Sequence, residues 1–336
     1  MKYVASGWLT GGHLQTIWPA IYGRHWHSSL QQLRSHYQRE RWNTPDGDFI
    51  DLDWMAGSPD RPLLVLFHGL EGSSASHYAL AFAEFAQGQG LGFVVPHFRG
   101  CSGELNLAPR AYHSGDFEEI DWVLKRLRQK HAGPLLAVGV SLGGNALMRW
   151  AQESGSQAIQ VVTALASVSA PLDLVASGQA MGRGFNRQVY TRMFMASMKP
   201  KALRKLAQHP GLFSKQDLHA ARDLYAFDNV FTAPLHGFKD TLDYWQRASA
   251  QPRLVQIQVP ALVVNALNDP FVPAKSLPKT AQVSRQVTLW QPQQGGHVGF
   301  ASGRPPAHLR ALPETVGGWL MAQLSSPLNQ PSTCCN

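Results

Sequence analysis

Three cysteines in 336 residues, Cys101, Cys334 and Cys335, are too few for a disulfide framework, and the adjacent pair at the chain end cannot staple a domain. A reducing compartment is expected. Charge is also sparse: Asp, Glu, Lys and Arg make up 15% of the chain against 44% hydrophobic residues, which argues against extensive disorder and suits a folded globular protein. No apolar run is long enough to span a bilayer. The N-terminus follows Lys2 with mixed Gly, Ser, His and Gln and lacks the apolar core of a secretion signal, so a cytoplasmic location is expected. There is no internal repeat.

The formal charge of +8 raises the question of nucleic acid. Lys and Arg are scattered, without aromatic interleaving or a recognisable nucleic-acid module, so no nucleic-acid partner is expected. Much of the excess sits between Leu172 and Ala250, with eleven Lys/Arg against six Asp, and leaves room for weak peripheral contact with anionic membranes.

Strand-like runs alternate with helical patterns, the signature of an α/β protein with a largely parallel sheet. A hairpin is predicted from His36–Trp42 and Phe49–Trp54 about the turn Thr44-Pro45-Asp46-Gly47. Buried strands are predicted at 63–67, 93–98, 135–140, 161–168, 261–265 and 287–290, with helices at 78–87, 117–130, 145–152 and 307–324. From Leu172 the rhythm changes to helices broken at Pro200, Pro210 and Pro234. The expected organisation is therefore a core of residues 1–171 and 251–325, a helical cap inserted at 172–250, and a flexible tail at 326–336. Met193, Met195 and Met198 in the cap read as ordinary packing or as lining of an acyl pocket.

Chemistry is concentrated in four segments. Gly139-Val140-Ser141-Leu142-Gly143 is a G-x-S-x-G sequence placed directly after an apolar strand and directly before a helix, the context of a nucleophile elbow. A serine on so sharp a turn needs small neighbours two positions away, and both are glycine. An acyl-transfer serine needs amides aimed at the developing oxyanion. Leu142 supplies one, and the loop His68-Gly69-Leu70-Glu71-Gly72 supplies the second through Leu70. His68 reads as a brace for that loop rather than as the base. The chain order of this fold, Ser then acid then His, selects His297 in Gly295-Gly296-His297-Val298-Gly299 as base. Asp269 in Asn268-Asp269-Pro270 is the favoured acid, with Asp173 as rival. His13 and Gln15 have no companion ligands at metal spacing and read as structural, in a segment that folds over the core near the site. Arg99 and Cys101 read as parts of a structured loop. No cofactor or metal is called for.

The sequence resembles the YheT-like group of α/β-hydrolases, related to the eukaryotic ABHD-type lipases. The resemblance covers nearly the whole chain. It rests on 12–19 (GHLQTIWP), 68–74, His97-Phe98-Arg99-Gly100-Cys101-Ser102-Gly103, the serine elbow, Asn268-Asp269-Pro270 and Gly296-His297-Val298-Gly299; the first and third segments are the most particular to the group. It implies an α/β-hydrolase fold and hydrolysis of carboxylic esters with medium-chain or lipid-like acyl groups. Acyl transfer to an alcohol, known in some relatives, is the alternative, and a non-catalytic binding protein on the same fold is a third reading. Oligomeric state is not specified by the sequence.

Overall fold

The computed structural model describes residues 1–25, 32–55, 57 and 60–325. An eight-stranded sheet runs in the spatial order β1-β2-β4-β3-β5-β6-β7-β8. Its strands are β1 (Gln38–Asn43), β2 (Phe49–Met55), β3 (Leu63–Phe67), β4 (Gly92–Pro96), β5 (Leu135–Val140), β6 (Ala164–Val168), β7 (Ala261–Val264) and β8 (Val287–Trp290). β1 and β2 form the predicted hairpin and β2 pairs antiparallel with β4; every later pairing is parallel. β3 to β6 are buried along their whole length because helices cover both faces.

The principal helices of the core's first half are α1 (Gly11–His25), α2 (His77–Gly88), α3 (Phe117–Lys130) and α4 (Leu142–Ser154). Between β6 and β7 lie α5 (Leu174–Met181), α6 (Arg192–Gln208), α7 (Leu224–Val230) and α8 (Thr241–Ala248), joined by shorter helical turns, and α9 (Ala311–Ala322) follows β8. Strand side chains alternate between faces. Leu64, Leu66, Val138 and Val140 point to the layer that contains α2 and α9, and Val65, Phe67 and Ala137 to the layer of α3 and α4. The segment between β6 and β7 packs on two small apolar clusters of its own, one around Met195, Phe227 and Phe231, the other around Tyr244 and Trp245. Gly178 of α5 lies so close to Trp245 that any Cβ there would run into the indole ring.

Two boundaries differ from expectation. Val161 closes a short helix, Ala158–Val161, so β6 begins only at Ala164. The last helix is shorter at both ends than 307–324, because residues 302–308 are held in an irregular loop by a bridge between Ser302 and His308. α1 has no counterpart in the periodicity: it contains Pro19, and tertiary contacts hold it. The tail at 326–336, with Cys334 and Cys335, lies outside the described residues.

Candidate active site

All four chemistry-bearing segments emerge at the carboxyl ends of parallel strands, where a doubly wound sheet opens its crevice. Ser141 closes β5 with φ 52° and ψ −118°, a conformation L-residues rarely adopt, and α4 begins at the next residue. The turn tolerates no side chain two positions to either side of Ser141. A Cβ on Gly139 would collide with the Gly143 carbonyl, and one on Gly143 would sit 2.5 Å from the carbonyl oxygens of Phe67 and His68.

His297 connects the serine to Asp269. Its Nε2 is 3.0 Å from Ser141 Oγ and its Nδ1 is 2.9 Å from Asp269 Oδ2. An ionised carboxylate can only accept, so Nδ1 carries the proton and Nε2 is left to accept from the serine hydroxyl. Asp269 is held in turn: its other oxygen accepts the backbone amides of Phe271, at 2.7 Å, and Val272, at 3.3 Å. The Asp269 side chain has no exposure and that of His297 only 10%. The Phe271 ring stacks on the imidazole, with centroids 4.1 Å apart. Asp173 lies elsewhere. It caps α5, accepting the Ala176 amide at 2.9 Å.

Leu142 is the first residue of α4, so its amide has no intrahelical acceptor. Around Leu70 the neighbouring amides are taken: Gly69 donates to the Tyr78 hydroxyl and Glu71 to the Tyr112 hydroxyl, each at 2.9 Å. Among the described residues, the Leu70 and Leu142 amides have no acceptor in the protein, and both residues line the same cavity as Ser141. A negative oxygen beside Ser141 is what such a pair of donors can hold. Gly69 permits the approach of the loop, since a Cβ there would be 3.1 Å from Ser141 Cβ.

His68 is fully buried. Its Nδ1 donates to the Gly69 carbonyl (2.8 Å) and its Nε2 accepts the Phe98 amide (3.1 Å), so both nitrogens tie the loop after β3 to the segment after β4. Burial, reinforced by nearby His97, lowers its pKa to about 3, and it stays neutral. Arg99 is locked by Glu119, Asp46 and Asp48. Burial raises the Cys101 thiol to about 12, which keeps it protonated and unreactive.

The N-terminal helix supplies what the motifs alone did not disclose. Gln15 Oε1 accepts the Gly295 amide and the Asn268 side-chain amide, each at 2.9 Å, while its Nε2 donates to the Leu9 carbonyl and to Gln294. Thr16 Oγ1 accepts the His297 amide at 2.8 Å, and Ser169 Oγ accepts the Val298 amide at 3.1 Å. The acid loop and the histidine loop are thus tied to α1 and, through Ser169, to the end of β6. Gly296 (φ 61°) leaves no space for a side chain; a Cβ would be 2.7 Å from the Gln15 backbone. His13 hydrogen-bonds to Tyr190 (3.1 Å). Among the described residues no group of three or more His, Cys, Asp or Glu is placed to hold a metal ion.

Above Ser141 the cavity is lined by Leu174, Met181, Phe194, Met198, Phe227 and Phe231 from the segment between β6 and β7. Of the three methionines singled out in sequence, only Met198 reaches it; Met195 packs inside its helical layer and Met193 is 57% exposed. Polar groups interrupt the lining, among them the Lys201–Glu71 ion pair, Lys205 and Asp228. Lys205 donates to the carbonyls of Asn106 and Ala108, and Asp228 accepts from Thr232 and the Trp245 indole.

Residues 62–303 match the family described as alpha/beta hydrolase fold. The chain is 40% identical over 332 residues, 97% of its length and 94% of the relative's, to the Escherichia coli (strain K12) protein named "Putative esterase YheT". It is a YheT-like α/β-hydrolase of the esterase and lipase type. The human protein named Phospholipase ABHD3 is 29% identical over 281 residues, covering 80% of this chain and 67% of that one. Among solved structures, a bacterial membrane phospholipase A superposes with a TM-score of 0.56 at 17% identity over 93% of each chain, a likeness of fold. Among the described residues no helix of this YheT-like chain is long and apolar enough to cross a membrane.

Proposed function

We propose that this protein hydrolyses carboxylic esters through an acyl-enzyme on Ser141. The observation that carries the reading is the continuous chain Ser141 Oγ, His297 Nε2, His297 Nδ1, Asp269 Oδ2, with separations of 3.0 and 2.9 Å. His297 takes the Ser141 proton as Oγ attacks the ester carbonyl, and the tetrahedral oxyanion rests on the Leu70 and Leu142 amides. His297 then returns the proton to the leaving alkoxide. Water, deprotonated by the same imidazole, releases the acid. Asp269 keeps the ring in the required tautomer and stabilises its positive form. A serine nucleophile separates this chemistry from reactions on the same fold that begin from an aspartate.

The apolar lining between the cap and Ser141 supports medium-chain or lipid-like acyl groups as substrates. Each methylene that enters such a lining contributes about 0.8 kcal/mol, roughly fourfold in kcat/KM. The test is turnover of p-nitrophenyl esters of increasing chain length. A rise from acetyl toward octanoyl is expected; a preference for acetyl would refute the acyl assignment while leaving the triad standing. A yeast relative, 29% identical over 72% of this chain, is named Medium-chain fatty acid ethyl ester synthase/esterase 2. Product analysis in the presence of ethanol separates hydrolysis, which releases only free acid, from transfer, which forms the ethyl ester.

A further inference from the structure

The helical stretch from Gly184 to Gln208 has two unlike faces. Phe194, Met198 and Ala202 line the active-site cavity. On the outside, Phe185, Val189 and Met193 are 49%, 38% and 57% exposed. Intervals of four residues keep them on one side of a helix. The widened π-type turn at Arg187–Thr191 lengthens the local repeat and keeps the three in line. Single exposed apolar side chains are ordinary on any protein surface, whereas a row of them in register marks a surface that meets something apolar.

The charges around the row narrow what that is. Arg183, Arg187 and Arg192 are exposed beside it, and among the described residues none of them has a carboxylate partner. No Asp or Glu occurs between Asp173 and Asp217, an interval that holds eight Lys and Arg. We propose that this face lies on an anionic lipid bilayer, with Phe185, Val189 and Met193 entering the headgroup boundary and Arg183, Arg187 and Arg192 meeting lipid phosphates. Arginine stems add apolar cover while their guanidinium groups stay at the polar level. Cations on the polar flank and aromatic and aliphatic side chains in the middle are the composition of an in-plane interfacial helix. A nucleic acid would satisfy the arginines and leave the apolar row against sugar, phosphate and water. A second copy would bring the same arginines face to face across a two-fold axis.

The face is continuous with the catalytic centre. Phe185 packs on His13 at 4.4 Å, Tyr190 hydrogen-bonds to His13 and packs on Phe271 at 4.6 Å, and Phe271 stacks on His297. Docking there sets the site entrance beside the lipid. It does not depend on which bond Ser141 breaks, and its test does not read catalysis.

The test is sedimentation of the purified full chain with vesicles of phosphatidylcholine alone or mixed with phosphatidylglycerol. The protein should pellet with the mixed vesicles and remain in solution with phosphatidylcholine. Arg183→Gln, Arg187→Gln and Arg192→Gln together should weaken binding roughly fivefold per charge removed. Phe185→Ser, Val189→Ser and Met193→Ser together should weaken it by at least about tenfold. Both variants should keep the wild-type near-ultraviolet circular dichroism, which shows that the fold survives. The proposal is overturned if the wild type ignores anionic vesicles or if either variant binds as tightly as wild type. It fails equally if duplex DNA is bound with an affinity that the serine substitutions leave unchanged, or if those substitutions only convert a dimer to a monomer.

Discussion

Asp269 and Asp173 carry the same carboxylate at the ends of neighbouring strand segments, and their surroundings give them different roles. Asp269 is fixed by two amides so that its remaining oxygen faces His297; Asp173 spends its oxygen on the first turn of α5. Asp269→Asn should therefore leave thermal unfolding nearly unchanged and lower kcat by up to roughly 10⁴-fold, the scale for neutralising an orienting aspartate. Asp173→Ala should do the opposite, costing about 1 kcal/mol of stability through loss of a helix cap with turnover largely retained. Near-wild-type kcat in Asp269→Asn would reject the assignment of the acid.

Burial lowers the pKa of His236 to about 3, with the tilted His113 ring 4.4 Å away between centroids and Arg110 and Arg99 opposing Asp116 nearby. The unfolded chain takes up a proton at this position near pH 6.5, and the folded chain does not until about pH 3. Stability from this histidine is thus fully present above about pH 6.5 and is lost as pH falls, by about 2 kcal/mol at pH 5. His68 has the same sign. Glu119, pushed up to about 7 by burial and by Asp116, runs the other way, so the contribution of His236 is best read as a difference. Urea unfolding at pH 7 and pH 5 should show a smaller loss on acidification in His236→Gln than in wild type; equal losses would contradict the shift.

At the scale of elements, α1 is the part of the site least legible in sequence. The elbow, the late histidine and the acid loop can be read because each needs a residue type at a fixed place relative to a strand, and those strands are short apolar runs, buried throughout in β5 and β7 and in part in β8. Ser141, Leu142, Leu70, Asp269 and His297 are all brought to one cavity mouth or its supporting loops. Gln15, Thr16 and Ser169 could not be read that way. They act by hydrogen bonds across more than a hundred residues of chain, and neither glutamine nor threonine in a helix announces a distant partner. The same holds for Phe271, whose stacking on His297 follows from loop shape and not from any motif. The sequence around Gln15 reads as a structural segment over the core, but its helix, with Pro19 inside it, has no clean apolar stripe to announce it. Removing the Gln15 side chain would leave the buried Gly295 amide unpaired, at a cost of about 1–3 kcal/mol. Gly12→Ala is the sharper probe, because a methyl group there runs into the Asn268 carbonyl next to Asp269. A displacement near 1 Å in the acid loop should reduce kcat by about 10²-fold with a smaller change in KM. A variant with unaltered kcat would show that α1 holds the fold and not the triad.

For the whole molecule, the division of roles follows the sheet. The parallel strands deliver the loops to one edge, the segment between β6 and β7 closes over them with its own apolar layer, and the outer face of its stretch 184–208 carries exposed arginines. The central claim is that Ser141 is the nucleophile of this assembly. The direct measurement is the intact mass of the protein after exposure to a fluorophosphonate, followed by peptide mapping. Wild type should gain one phosphonyl group, on Ser141, while Ser141→Ala gains none and His297→Ala reacts far more slowly. An unmodified wild type, or equal modification of Ser141→Ala, would contradict the account.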